Sequence, residues 1–387
     1  MIEKLPVVFV MVLSVSCGST LSASDHADPI TLRHNEAGLT DLFAFESPDG
    51  ESLVLVLCAA RALTDEAALP LTPISYRLWI DCNSQVHFDD PDVNARYGGK
   101  VVRPEQIEHE VCLTFRLQND GTLADRTVAG LGAEEHLPEA YTGLRDDPFI
   151  FHRFSNTNVV AIVQEIPYRL LPNGKLDTAE GTYLIWATSH RLGNQVDHVG
   201  RSLRTMLPRF DFLNTIEPKE HVAEIRRRHE RPDVVTDVLS TFASPFFGIR
   251  HYDFEPDVMI FSRIRPAGYP NGRRLSDDVA KLCCDQGDCL LYEVSLAESH
   301  ADHVPRPVTN NVPFLEQFPY LASVNQSARS LPDPALRLRT KVILGLIGVA
   351  AAAFLLLPWW LLHRAKRRLR RLSKRLSLPL PLEQSDG

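Results

Sequence analysis

The apolar positions of this chain follow a period of two in the first half and a helical period later. Ile74, Tyr76, Leu78 and Ile80 alternate with Ser75, Arg77, Trp79 and Asp81, and Val111, Leu113, Phe115 and Leu117 repeat the pattern. Successive side chains of a strand point to opposite faces, so both segments predict strands with one buried face. Asn119-Asp120-Gly121 then predicts a hairpin returning over Thr122 to Val128. Ser52 to Cys58 (SLVLVLC), Val159 to Val163 and Tyr183 to Ala187 are short unbroken apolar runs, which suit strands covered on both faces. Pro172-Asn173-Gly174 marks a turn between the last two.

Helical signals come later. Lys219 to Glu230 is highly charged. Beyond Pro232, which separates the two segments, Val234, Val235, Val238, Leu239 and Phe242 share one face of a helix over Asp233 to Phe242. Ser276 is placed to cap a further helix, with Asp277 and Asp278 favourable in its first turn and Val279, Leu282 and Cys283 facing inward. The predicted class is α+β: a β-rich core with inserted helices, sandwich-like with a barrel as the alternative, and one C-terminal transmembrane helix.

That last helix rests on Val342 to Leu362, 21 residues without a charge. About 20 helical residues cross the hydrocarbon of a bilayer, and Trp359 and Trp360 fall at headgroup level. Arg364, Lys366, Arg367, Arg368, Arg370, Arg371, Lys374 and Arg375 follow, interleaved with Leu369, Leu372 and Leu376. They read either as an amphipathic helix contacting the inner leaflet or as a plain stop-transfer anchor, and both place the C-terminus in the cytoplasm. At the other end, Leu5 to Val15 is apolar over a signal-peptide length, with small residues and a cleavage point near Ala23. Lipidation of Cys17 and an uncleaved anchor are the alternatives. The expected organisation is a signal peptide over 1–23, an exported domain over 24–325 and a stalk over 326–341. The span follows over 342–362 and the basic tail over 363–387. The protein is then single-pass in a bacterial inner membrane, with its domain in the periplasm.

Net charge sharpens this picture. The whole chain carries −8, and since its tail is basic the exported part is more acidic still. That excludes nucleic acid as its partner; membrane lipid is left to the C-terminal helix and tail. Seven cysteines are present, and six remain without Cys17. In an oxidising compartment these suit disulfides, with Cys283, Cys284 and Cys289 the tightest group and a structural staple the reading preferred over a redox or metal site.

Acidic and His residues crowd several turns: Asp25-His26-Ala27-Asp28, Asp89 to Asp92, Asp146-Asp147 and His300 to His303. Each has a cation reading, Ca²⁺ or another divalent metal, and a plain reading as turn chemistry. Asp25, His26 and Asp28 are the leading metal candidates, because an N-terminal segment needs something to pin it. Asn173 to Asp177 lacks the carboxylate spacing of a calcium loop. GxSxG, HExxH and P-loop motifs do not occur. Ser189-His190 and Asp197-His198 read as polar residues at strand ends, and Arg226 to Arg231 as a solvated helix face.

Several segments, in order, resemble the DUF4331 family of exported bacterial proteins. They are SDHADP near Ser24, GLTDLFAFESPDGESLVLVLCAARAL from Gly38, DDPFIFH from Asp146, NTNVVAIVQEIP from Asn156, IWATSHRLGNQVDHVGRSLRTML from Ile185, GYPNGRRLSDDVA from Gly268 and NVPFLEQFPYLA from Asn311. The resemblance covers most of residues 24 to 322 and implies an exported, β-containing domain without implying a reaction. The reading that unites these observations is a non-enzymatic binding or scaffold subunit of an envelope or membrane complex. Its alternative is a metal-dependent envelope enzyme using the Asp/His clusters.

Overall fold

The computed structural model describes residues 35–63, 69–132, 137–148, 157–172, 181–232, 248–250, 253–286 and 312–328, together with residues 26, 32, 310 and 364. All but Arg364 belong to one unit, Leu21–Leu331. No helix among the described residues is long and apolar enough to cross a membrane. The expected leader and the span over 342–362 lie outside the described residues, as does all of the basic tail except Arg364.

The strands are β1 (Leu39–Glu46), β2 (Ser52–Leu63), β3 (Ile74–Asp81), β4 (Val86–His87), β5 (Lys100–Val101), β6 (Val111–Leu117), β7 (Leu123–Ala129), β8 (Tyr141–Asp146), β9 (Asn158–Pro167), β10 (Thr182–Arg191), β11 (Asn194–Val199) and β12 (Met259–Ser262). The helices are α1 (Pro91–Tyr97), α2 (Pro218–Glu230) and α3 (Val279–Asp285). One antiparallel sheet runs β1-β2-β9-β8 and a second β11-β10-β3-β6-β7, with β12 also on β10. The result is a β-rich, sandwich-like fold with a few helices.

Alternation explains the packing. In β2, Leu53, Leu55 and Leu57 join the core shared with Tyr76, Leu78, Leu113 and Phe115 of the second sheet. Val54, Val56 and Cys58 face the other way, into a cluster with Val159, Val163, Tyr320 and Leu321. The unbroken apolar run is therefore a strand covered on both faces. The free edge of β1 is closed by Arg273, whose backbone exchanges both hydrogen bonds with Ala44 (3.2 and 2.9 Å). The Arg273 side chain is buried across the Phe43 ring and pairs with Asp41 at 3.1 Å. β7 is the opposite, exposed edge, where charged residues oppose unwanted strand addition.

α3 departs from the expected start. It begins at Val279 and is capped by Asp278, which accepts from Lys281 N at 3.2 Å. Asp277 instead bends the preceding turn by accepting from the amides of Tyr269 (2.8 Å) and Arg274 (2.7 Å), so Ser276 is left outside the helix. The expected helix over 233–242 lies outside the described residues.

Candidate functional site

One edge of β10 is divided between two partners. Thr182 to Ile185 pair with β12, and Ala187 to Arg191 pair with β11. The chain leaves β11 at Val199 and enters β12 at Met259, so Gly200 and Asp257 meet at the break. Gly200 is needed there, because a Cβ would sit 2.2 Å from the Asp257 carbonyl oxygen. Asp257 organises the junction. Its carboxylate accepts from Arg201 N at 2.7 Å, its carbonyl accepts from His198 Nε2 at 2.8 Å, and its amide donates to His221 Nδ1 at 3.1 Å. His221, on α2, in turn donates from Nε2 to Ile216 O at 3.1 Å. The two rings lie 5.0 Å apart, and burial pushes both imidazoles below histidine's usual range.

Beside this junction is a cavity of about 90 Å³, with a neighbouring lobe of about 20 Å³. Arg201, Ser202 and Tyr97 line both. Tyr97 is held in place by α1. Asp90 caps that helix by accepting from Asp92 N (3.0 Å) and Val93 N (3.1 Å), and Gly98 ends it at φ +76°. Gly98 also lies against Pro270, where a Cβ would come within 2.3 Å of the carbonyl oxygen. Asp90→Ala is therefore expected to cost about 1 kcal/mol of stability, read as a lower urea midpoint at unchanged slope.

The cavity wall is rich in arginine. Arg204 and Arg209 share the buried Asp253 carboxylate at 3.7 and 3.3 Å. Arg204 also donates to the carbonyls of Asp253 and Glu255, and stacks on Phe210 at 3.9 Å. Arg201 stacks on Tyr97 at 4.2 Å and donates from Nε to Val258 O at 3.0 Å. Its Nη1 and Nη2 are buried and have no hydrogen-bond partner among the described residues, and the Ser202 hydroxyl is in the same condition. Arg201 is only 7 % exposed and Ser202 5 %. Burial lowers the guanidinium of Arg201 from its ordinary range, with Glu255 the strongest opposing charge, and burial raises Glu255. Buried donors without acceptors are costly to leave unmatched. The chemical complement of this wall is an acceptor carrying negative charge.

The sequence-predicted candidates fall elsewhere. His26 is fully buried between Asp197, at 2.9 Å from Nε2, and the Thr205 hydroxyl, on Nδ1. Asp25 and Asp28 lie outside the described residues. Asp197, His26 and Thr205 stand in the order of a carboxylate–imidazole–hydroxyl relay, but Thr205 is 4 % exposed and none of the three lines either cavity. Among the described residues no group of three His, Cys, Asp or Glu side chains is arranged to hold a metal. Asp146 and Asp147 are buried; Asp146 accepts from Asn325 at 3.0 Å, and Thr157 donates to Asp147 at 3.1 Å. Asp89 to Asp92 belong to the start of α1. His300, His303 and Asn173 to Asp177 lie outside the described residues.

Cys82 and Cys112 are free thiols, and Cys58 also keeps its thiol. Cys283, read from sequence as part of a staple, carries a thiol on the cavity wall, 3.0 Å from the Tyr269 hydroxyl. Cys284 is disulfide-bonded, and Cys289 lies outside the described residues. Ser189 donates to Ala37 O, and His190 pairs with Thr188 at 2.9 Å. Arg227 and Arg228 make surface pairs with Glu224 on α2. Reading the sequence missed Tyr97, Arg201, Ser202 and Arg204. A signal was present in GRSLRTMLPRF, residues 200–210, where three arginines alternate with apolar residues that bury them.

No family model, curated protein or solved structure matches this chain.

Proposed function

We propose that this protein is a non-enzymatic binding module that captures a small anion in the arginine-lined cavity beside β10. The observation that carries the reading is Arg201, a buried guanidinium on the wall of this cavity whose two terminal nitrogens have no acceptor among the described residues. The cellular setting comes from the sequence: a signal peptide exports the domain, and residues 342–362 with their basic tail tether it to the inner membrane of a bacterium. A tethered binding domain of this kind suits a subunit of an envelope or membrane complex, in keeping with the resemblance to the DUF4331 family.

The test uses full-length protein in mild detergent and follows its melting temperature against a panel of acetate, propionate, phosphate and sulfate. A ligand that binds only the native state stabilises it by RT ln(1 + [L]/Kd), so the melting temperature rises with the logarithm of ligand concentration above Kd. At least one member of the panel is expected to give a concentration-dependent rise that Arg201→Met abolishes. A flat response across the whole panel overturns the reading.

A further inference from the structure

We infer that the cavity selects a short-chain monocarboxylate over phosphate or sulfate, a conclusion that rests on the anion-binding reading above and narrows it. The donor geometry comes first. Val258 O occupies Nε of Arg201, which leaves the paired Nη1 and Nη2 as the donors on offer. That end of a guanidinium matches the two oxygens of a carboxylate in a planar, two-pronged contact. The Ser202 hydroxyl, on the same wall, adds one further donor.

Charge comes second. Arg201, Arg204 and Arg209 are faced by three carboxylates, Asp253, Glu255 and Asp257, so the wall holds little excess positive charge and matches a monoanion better than a dianion. Two α-helices reach the cavity with their last turns, Arg96 and Tyr97 of α1 and Cys283 of α3, while the 3-10 helix Pro208–Thr215 reaches it with its first, at Leu207, Arg209 and Phe210. Helix C-termini present carbonyl oxygens and partial negative charge, which repel a dianion more than a monoanion.

Size and polarity come third. Beside the polar side chains of Arg96, Asp253 and Gln286, Leu203, Leu207, Phe210, Tyr97 and Tyr269 give the wall an apolar part that would strand the outer oxygens of a tetrahedral oxyanion but suits a hydrocarbon tail. A dry cavity of about 150 Å³ is enough for benzene, and this one is smaller, about 90 Å³ with its 20 Å³ lobe. That bounds the ligand at roughly two to four carbons.

The experiment is isothermal titration of the full-length protein in mild detergent with acetate, propionate, butyrate, phosphate and sulfate. The expected result is saturable 1:1 binding of at least one carboxylate, at least about tenfold tighter than phosphate or sulfate, weakened about tenfold or more by Arg201→Met. Ser202→Ala removes a donor without adding bulk; it is expected to weaken the same carboxylate and keeps the test decisive if the arginine variant fails to fold. Phosphate or sulfate binding as tightly as the carboxylates overturns this inference and leaves the anion-binding reading intact. No binding by any of the five overturns both, and the cavity then holds ordered water only. Carboxylate binding unchanged in Arg201→Met and Ser202→Ala overturns the assignment to this cavity.

Discussion

Asp197→Ala is expected to lower stability by about 4 kcal/mol, through three donors that lose their acceptor at once. Asp197 is fully buried on β11. One carboxylate oxygen accepts from His26 Nε2 at 2.9 Å and from His198 N at 2.9 Å; the other accepts from Leu39 N at 2.8 Å. Each stranded buried donor costs about 1–3 kcal/mol, and the small alanine side chain leaves little room for water to replace the lost oxygens. In a domain of this size the loss corresponds to a fall of about 10 °C in melting temperature. The contacts reach residues 171 and 158 positions away, so the variant should also release the N-terminal segment. Limited proteolysis reads this directly, as early cleavage between residues 26 and 39 while the sheets remain resistant. A melting temperature within 2–3 °C of the parent would mean that His26 and Leu39 find other partners and that Asp197 is not the anchor.

Asp197 and His26 show why the fold was more legible than the site. Strand patterns are local: the alternation over Ile74 to Asp81 and Val111 to Leu117 specifies a strand whatever it packs against, and both strands occupy those spans. The edge strands β8 and β11 carry no comparable pattern, because pairing with β9 and β10 defines them. The need to pin the N-terminus could likewise be read from its position in the chain. Its means could not, since Asp197 lies on a strand that only the tertiary fold brings near. The cavity was less legible again. Arg201 and Ser202 have no local signature, and their importance comes from the break between β11 and β12 along one edge of β10. The cysteines divide for a related reason: Cys284 is disulfide-bonded, as an even count suits, but Cys82, Cys112 and Cys283 each keep a thiol, the last against Tyr269.

The second large effect is acid lability, centred on His198 and His221. Burial is the first cause of both depressed values; Asp257 opposes it at His198, and the neighbouring His198 reinforces it at His221. Hydrogen bonding explains why His221 stays neutral. Its Nε2–H donates to Ile216 O while Nδ1 accepts from the Asp257 amide, so a proton on Nδ1 would face an N–H at 3.1 Å. Around the pair stand Asp257, Asp197, His26 and Arg204. Because both folded values lie below that of free histidine, the unfolded chain binds protons first as pH falls, and stability is lost downward from about pH 6.5. Above that range both rings are neutral in both states and their contribution is fully retained. Each ring therefore removes stability progressively as pH falls below 6.5, by at most about 1.4 kcal/mol per pH unit, the limit for one proton taken up on unfolding. His190, lowered to about 4 by burial and Arg77, acts in the same direction. Asp146 and Glu255, raised by burial, act in the opposite one, so the parent curve alone does not isolate the histidines. His221→Gln does: glutamine retains a donor and an acceptor but cannot titrate. Urea midpoints at pH 7.5 and 5.5 should show the variant losing less stability than the parent across that interval, by up to about 1 kcal/mol. Equal losses in the two proteins would assign the acid sensitivity to other groups.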